Sequence, residues 1–161
     1  MLNRLLPALV LTLTLTPNGH AQSSGATSSA FTAQDEAAIR HSLIQSSEDW
    51  NQGNMDAFLH CYKDSPDILF IGPKVQHGYA QMSASYKKHY ATSAQMGKLS
   101  FTDLEVQALD AHFATATGWF HLVRDQKDGG NGEGYFLLVL EKTEQGWKIV
   151  RDDTTSAAAS H

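Results

Sequence analysis

The stretch "GWKIVRDDTT", Gly146 to Thr155, carries the residues best suited to chemistry, the adjacent carboxylates Asp152 and Asp153. Two acids close in space would form a site for general acid and base catalysis. Neighbouring residues on a strand point to opposite faces, so these two do not act as a pair. A period of two predicts one face with Trp147, Ile149, Arg151 and Asp153, and another with Lys148, Val150, Asp152 and Thr154.

Asp152 is the carboxylate with the clearer chemical use. If its face lines a cavity, Asp152 lies in a largely apolar site, and burial raises its pKa toward the range of a general base or acid. Thr154 would share that face as a ligand contact. The alternative is structural: Asp152 forms a salt bridge or caps the backbone near the strand end.

A histidine, three tyrosines and two tryptophans complete the candidate site. His77, beside the turn at Gly78, and Tyr62, on a predicted helix, are candidates to polarise a substrate carbonyl next to Asp152. A histidine satisfied by ordinary hydrogen bonds is the alternative for His77. The aromatic residues come from elements that would surround a cavity, although such residues also form cores. The set is Trp50, Tyr62, Tyr86, Trp119 and Tyr135.

Familiar metal and cofactor motifs are missing from the sequence, which has no HExxH, CxxC, GxSxG or Walker-type phosphate loop. His60 and Cys61 are neighbours on a predicted helix, so they point about 100° apart and do not chelate one ion unaided. The "GGNGEG" segment, residues 129–134, leads into a strand rather than a helix, so we interpret it as a mobile hairpin tip. We expect neither a metal nor a cofactor.

The elements that position these residues follow from hydrophobic periodicity. An amphipathic helix is predicted from Thr32 to Gly53, a shorter one from Asn54, and a third from Tyr79. "ILFIGPKVQHG", residues 68–78, predicts a short hairpin. After Lys98 the period changes to two, which predicts four strands in an antiparallel meander. Helices followed by long strands indicate an α+β fold with the helices packed on a curved sheet.

Length and composition limit the organisation and partners of the chain. Its 161 residues suit one domain, and 17 acidic against 12 basic residues make nucleic acid an unexpected partner. Residues 1–21 are typical of a signal peptide, which predicts a secreted or periplasmic protein that leaves the membrane after cleavage; an uncleaved anchor is the alternative. We expect a flexible lead-in over 22–31, the domain over 32–156 and a disordered tail over 157–161.

Over nearly the whole domain the sequence resembles the nuclear-transport-factor-2-like (NTF2-like) superfamily, in particular the SnoaL-like families of domain-of-unknown-function class DUF4440. The segments that carry the resemblance are "WNQGNMDAFLHCY", "ILFIGPKVQHGYAQM", "FTDLEVQAL", "ATGWFHLV" and "GWKIVRDDTTS". The family commonly ends in W-[RK]-I-V-H-D-H-[ST]-S. Asp152 matches the central acid of that pattern, whereas Arg151 and Asp153 replace its two histidines.

The resemblance implies a cone-shaped α+β domain with three N-terminal helices, an internal pocket and dimerisation through the outer sheet face. Three functions remain open at this point. The leading one is binding of a small apolar or partly polar molecule by a homodimer. The others are a cofactor-free isomerase or cyclase with Asp152 as general base, and an interaction module that uses the outer face around Trp147 and Ile149.

Overall fold

The structure is a computed structural model that describes residues 30–157. The predicted signal peptide, most of the lead-in over 22–31 and most of the tail over 157–161 lie outside the described residues. Within the described range, no helix has the length and apolar character needed to cross a membrane. Phe31, which we assigned to the lead-in, packs edge-on against Trp147 with ring centroids 5.6 Å apart. The packed domain therefore begins slightly before the predicted boundary at Thr32.

The helices follow the predicted order, with one addition. The helices of the described range are α1 (Ala33–Asn51), α2 (Met55–Leu59), α3 (Tyr79–His89) and α4 (Ser93–Met96). Thr32 caps α1, accepting a hydrogen bond from the Asp35 backbone N–H while the Asp35 side chain accepts from the Thr32 backbone. The short helix α4 was not predicted, because one turn is too short to display an apolar period.

Asp35 also anchors the start of α1 to the sheet. Its carboxylate accepts a hydrogen bond from Lys142 Nζ at 2.6 Å and another from Trp147 Nε1 at 3.1 Å. The Lys142 contact, followed by the hydrogen bond from Thr32, holds the pKa of this carboxyl well below its usual range. The negative charge at the helix N-terminus is also favourable toward the helix dipole.

In the part of the chain that the structure describes, six strands form one curved sheet in the order β2-β1-β6-β5-β4-β3. Their bounds are β1 (Leu69–Ile71), β2 (Val75–His77), β3 (Lys98–Ala108), β4 (Phe113–Val123), β5 (Gly132–Thr143) and β6 (Gly146–Ser156). Strands β3 to β6 form the expected antiparallel meander, and β1 and β2 form the expected hairpin. The sheet is mixed rather than purely antiparallel, since β1 runs parallel to β6.

Two bulges accompany the curvature of the sheet. The β3–β4 register shifts between Thr102 and Glu105, where Asp103 has a positive φ of 53°. The β5–β6 register shifts at Val150, because Ile149 pairs with Leu140 while Arg151 pairs with Val139. Bulges bend a strand and increase its twist. The helices lie across the inner face, where α1 contacts β3 and β6, and the buried core is enclosed between the layers.

Candidate functional site

The helices and the inner face of the sheet enclose a cavity of about 450 Å³. Its walls come from α1, α3, the segment after α2, the β1–β2 hairpin and strands β3 to β6. The volume lies within the range of small-molecule sites in proteins. Most of the lining is aromatic or aliphatic, and the buried acid in it is Asp152.

The bulge at Val150 decides which residues of β6 face this cavity. Ile149 and Asp152 both line it, although they are three residues apart, because the extra residue changes the alternation. The simple period of two therefore misplaced Ile149. Arg151 and Asp153 are exposed on the opposite face, whereas Trp147 and Ile149 are only 6% and 2% exposed. The proposed interaction surface around Trp147 and Ile149 is wrong, since both residues belong to the core.

Asp152 is a buried carboxylate held by two hydroxyl groups. Tyr62 donates to its Oδ2 at 2.6 Å, and Thr154 donates to its Oδ1 at 2.6 Å. Burial raises the pKa of Asp152 to about 6, while the hydrogen bonds from Thr154 and Tyr62 act in the opposite direction. At pH 7 the carboxylate is therefore mostly ionised.

Two tyrosines stand beside the carboxylate with different hydrogen-bonding roles. Burial, and then the charge of Asp152, raises the pKa of Tyr62 and of Tyr86 well above the ordinary value, so both are neutral phenols. The proton of Tyr62 is committed to Asp152. Tyr86 also lines the cavity, and a hydrogen bond with the Tyr62 side chain lowers its pKa against the larger effect of burial. Tyr86 is therefore a second phenol that a bound molecule could contact.

The aromatic wall is a connected set of rings centred on Trp50. The Trp50 ring lies 4.9 Å from Phe58, 6.3 Å from Tyr86 and 4.7 Å from Tyr90, all in edge-to-face geometry. The indole N–H of Trp50 donates to the Met96 carbonyl at 2.7 Å, which fixes the ring to α4. Trp50 therefore offers its apolar surface, rather than a donor, to the cavity.

Three predicted site residues lie outside the cavity. His77 is exposed on β2, where the alternation directs Gln76 inward instead. Trp119 and Tyr135 contact each other on the outer face, with ring centroids 4.2 Å apart, and Tyr135 is 68% exposed. Each alternates with a phenylalanine that does line the cavity, so the residues that sequence reasoning missed are Phe120 and Phe136.

The histidine and cysteine side chains of residues 30–157 are not arranged as a metal site. Within residues 30–157, no group of three or more His, Cys, Asp or Glu side chains is arranged to hold a metal ion. Cys61 lines the cavity, and burial raises the pKa of its thiol to about 12. Its Sγ donates to the Phe58 carbonyl at 3.1 Å. The thiol is therefore protonated at neutral pH.

The fold and enclosed cavity define an α+β protein of the NTF2-like, or cystatin-like, class. An NTF2-like protein of unknown function from Shewanella oneidensis is 29% identical, with a TM-score of 0.69, and the match covers 74% of this chain and 98% of that one. A ketosteroid isomerase-like protein from Erwinia carotovora atroseptica is 19% identical, with a TM-score of 0.65 and coverage of 79% and 99%. At that identity the likeness shows the fold alone.

The family follows from the sequence. Residues 39–157 match the model of the SnoaL-like domain, so the chain belongs to the SnoaL-like domain family. A cystatin-like NTF2-like protein from Novosphingobium aromaticivorans is a further structural neighbour, 18% identical with a TM-score of 0.65, covering 79% of this chain and 84% of that one. No curated protein matches the sequence.

Proposed function

We propose that this SnoaL-like domain is an exported protein that binds a small, largely apolar molecule in its cavity, with Asp152 as the polar anchor. The observation that carries the proposal is an ionisable carboxylate buried among aromatic rings at the wall of a cavity. Each carboxylate oxygen can accept more than one hydrogen bond. Tyr62 donates one to Oδ2 and Thr154 donates one to Oδ1. A ligand hydroxyl or N–H group would find a free acceptor there.

Binding can be tested with N-phenyl-1-naphthylamine, an uncharged aromatic amine with one N–H donor that fluoresces in apolar surroundings. We expect saturable binding to the wild type. Ser85→Trp should weaken it by about tenfold or more, because Ser85 lines the cavity from α3 and an indole there would occupy its space. Ala84→Trp is the matched control, since its exposed neighbouring position is outside the lining. Equal binding by all three proteins would contradict the proposal.

A second candidate is proton transfer at Asp152, which the raised pKa and the position of Tyr86 in the cavity lining favour. His77 has no part in it, because it lies outside the cavity. Tyr62 serves to hold Asp152, so the carbonyl of a substrate would receive its hydrogen bond from Tyr86. Asp152→Asn separates the two functions: if a bound molecule is turned over by the wild type and only bound by Asp152→Asn, the binding-only proposal fails.

We further propose that the domain forms a homodimer through an outer patch, defined as Phe113, Trp119, Tyr135, Leu137 and Val139. These residues adjoin on β4 and β5, and Tyr135 and Leu137 are 68% and 47% exposed. Clustered exposed apolar side chains of this kind are typical of interaction surfaces.

Native mass spectrometry tests the dimer together with export. We expect a dimer of chains that begin near residue 22, and a monomer for Leu137→Lys, which places a charge in the centre of the patch. Ile44→Lys is the control, because Ile44 is 48% exposed on α1, which packs on the opposite face of the sheet from the patch. A wild-type monomer at micromolar concentration would overturn the dimer, and a mass that includes residues 1–21 would overturn cleavage.

A further inference from the structure

The charged residues of the cavity are distributed unevenly. Among residues 30–157, the lining contains three basic side chains, Lys74, His89 and Arg124, and one acid, Asp152, although the whole chain carries a net charge of −5. The basic residues stand at the ends of elements: Lys74 in the β1–β2 turn, His89 at the last position of α3 and Arg124 just after β4. Lys74 and His89 are exposed and Arg124 is half-buried, whereas Asp152 is buried, so we take the end of the cavity at these three residues as its mouth.

Asp152 lies toward the other end of the same cavity. It pairs with Leu138 across the sheet, whereas the mouth end of β5 begins at Gly132, which pairs with Leu122. Six residues of strand separate Leu138 from Gly132, a distance of about 20 Å along the sheet. The cavity thus has a positive end and a negative end with aromatic side chains between them.

Arg124 is held in place before any ligand arrives. Its Nε donates to the Gly130 carbonyl at 2.8 Å, and its Nη1 donates to the Gln95 carbonyl at 3.3 Å. The guanidinium lies 5.7 Å from the centre of the Tyr90 ring and packs against Gly129 on the glycine-rich turn. These contacts hold a side chain that would otherwise sample many rotamers.

The guanidinium still has donors for a ligand. It carries five N–H groups, and the contacts with Gly130, Gln95 and the more distant Gly129 carbonyl use three of them. Two N–H groups in one plane match the geometry of a carboxylate or sulfonate. Because Arg124 is half-buried beside an aromatic ring, an anion there would be screened less than one at an exposed lysine.

We propose that the ligand is an amphipathic anion, with a carboxylate-type group at Arg124 and an apolar, ring-containing body in the aromatic cavity. This inference rests on the proposed binding function and adds the charge and orientation of the ligand. The opposite orientation would bring two negative charges together in an apolar site, at Asp152, where their repulsion is strong.

The test compares two probes that differ in one group. The compound 8-anilinonaphthalene-1-sulfonate is N-phenyl-1-naphthylamine with one added sulfonate. We expect Arg124→Gln to weaken binding of the sulfonate about tenfold and to change binding of the neutral amine less than about twofold. Lys127→Gln is the matched control for the loss of a positive charge, since Lys127 is 79% exposed and outside the lining.

Each outcome decides a separate point. Equal weakening of both probes by Arg124→Gln, or no weakening of either, overturns the anion inference while the cavity still binds. Failure of the wild type to bind the neutral amine counts against the proposed function itself. If Arg124→Gln does not fold, the salt dependence of the wild type decides instead. Sulfonate affinity should fall between about 0.02 and about 0.5 M NaCl while amine affinity stays constant, and equal curves overturn the inference.

Discussion

Asp152→Asn is expected to be more stable than the wild type at pH 7, by about 3 kcal/mol in the free energy of unfolding. Burial raises the pKa of Asp152 to about 6 in the folded state, against an ordinary pKa of 3.8 for the exposed group. Each unit of that difference corresponds to about 1.4 kcal/mol by which folding disfavours the ionised form. Asparagine has the same shape without the charge, and its amide oxygen and N–H groups can keep both hydrogen-bond partners.

The direction of the pH dependence follows from the raised pKa. Below about pH 4 Asp152 is neutral in the folded and unfolded states, so its contribution to stability is fully present. Between about pH 4 and pH 6 the unfolded state ionises first, and the contribution is lost as the pH rises through the folded pKa. Urea unfolding should therefore show a much larger difference between wild type and Asp152→Asn at pH 7 than at pH 4.

Asp153→Asn is the matched control for this experiment. Asp153 is the next residue along β6, but it is exposed on the opposite face, so its removal should change stability by less than about 0.5 kcal/mol at either pH. A wild type that is equally stable or more stable than Asp152→Asn at pH 7 would show that the ionised carboxylate is not a cost to the fold.

Gly134→Ala is expected to destabilise the domain by about 3 kcal/mol, with a fall in Tm of about 10 °C. A Cβ at Gly134 would lie 2.0 Å from the Thr155 carbonyl oxygen and 2.9 Å from the Ser156 Cα. Both are backbone atoms of the paired strand β6, so relief requires the strands to separate where Gly134 pairs with Ser156. Thermal and urea unfolding measure the loss.

Gly132→Ala gives the comparison within the same strand. Its Cβ would lie 4.0 Å from the Phe120 ring, an ordinary contact, so we expect a change of less than about 1 kcal/mol. Similar losses for the two variants would contradict the close approach at Gly134 as the cause, because an alanine that meets no clash in a strand should not destabilise it.

Most of the fold was predictable, because long elements repeat their pattern often enough to be recognised. Nineteen residues of α1 and the eleven or twelve residues of each of β3 to β6 display their period several times. The parallel pairing of β1 with β6 was not predictable in this way, since β1 has only three residues and the pairing is distant in sequence. The one-turn helix α4 was not predictable either, because it is too short to show a period.

The residue types of the site could be predicted from the sequence. The prediction failed where it depended on which face of a strand a residue occupies. Asp152, Tyr62, Tyr86, Trp50 and Thr154 do line the cavity. Ile149 was misplaced because a one-residue bulge reverses the alternation, and nothing in the local sequence marks a bulge at Val150. For Trp119 and Tyr135 the signal was present, since each stands one residue before the phenylalanine that faces inward.

Because Asp152 is ionised and buried, ligand binding in the cavity should change the thermal stability of the protein. An empty cavity leaves the folded state carrying the free-energy cost of a buried charge, whereas a bound donor would offset part of it and bind only the folded state. Ligand binding and thermal stability are thus linked through one side chain. A melting temperature measured near neutral pH becomes a direct assay for screening compounds, and acidic buffer, in which Asp152 is neutral, removes that part of the signal.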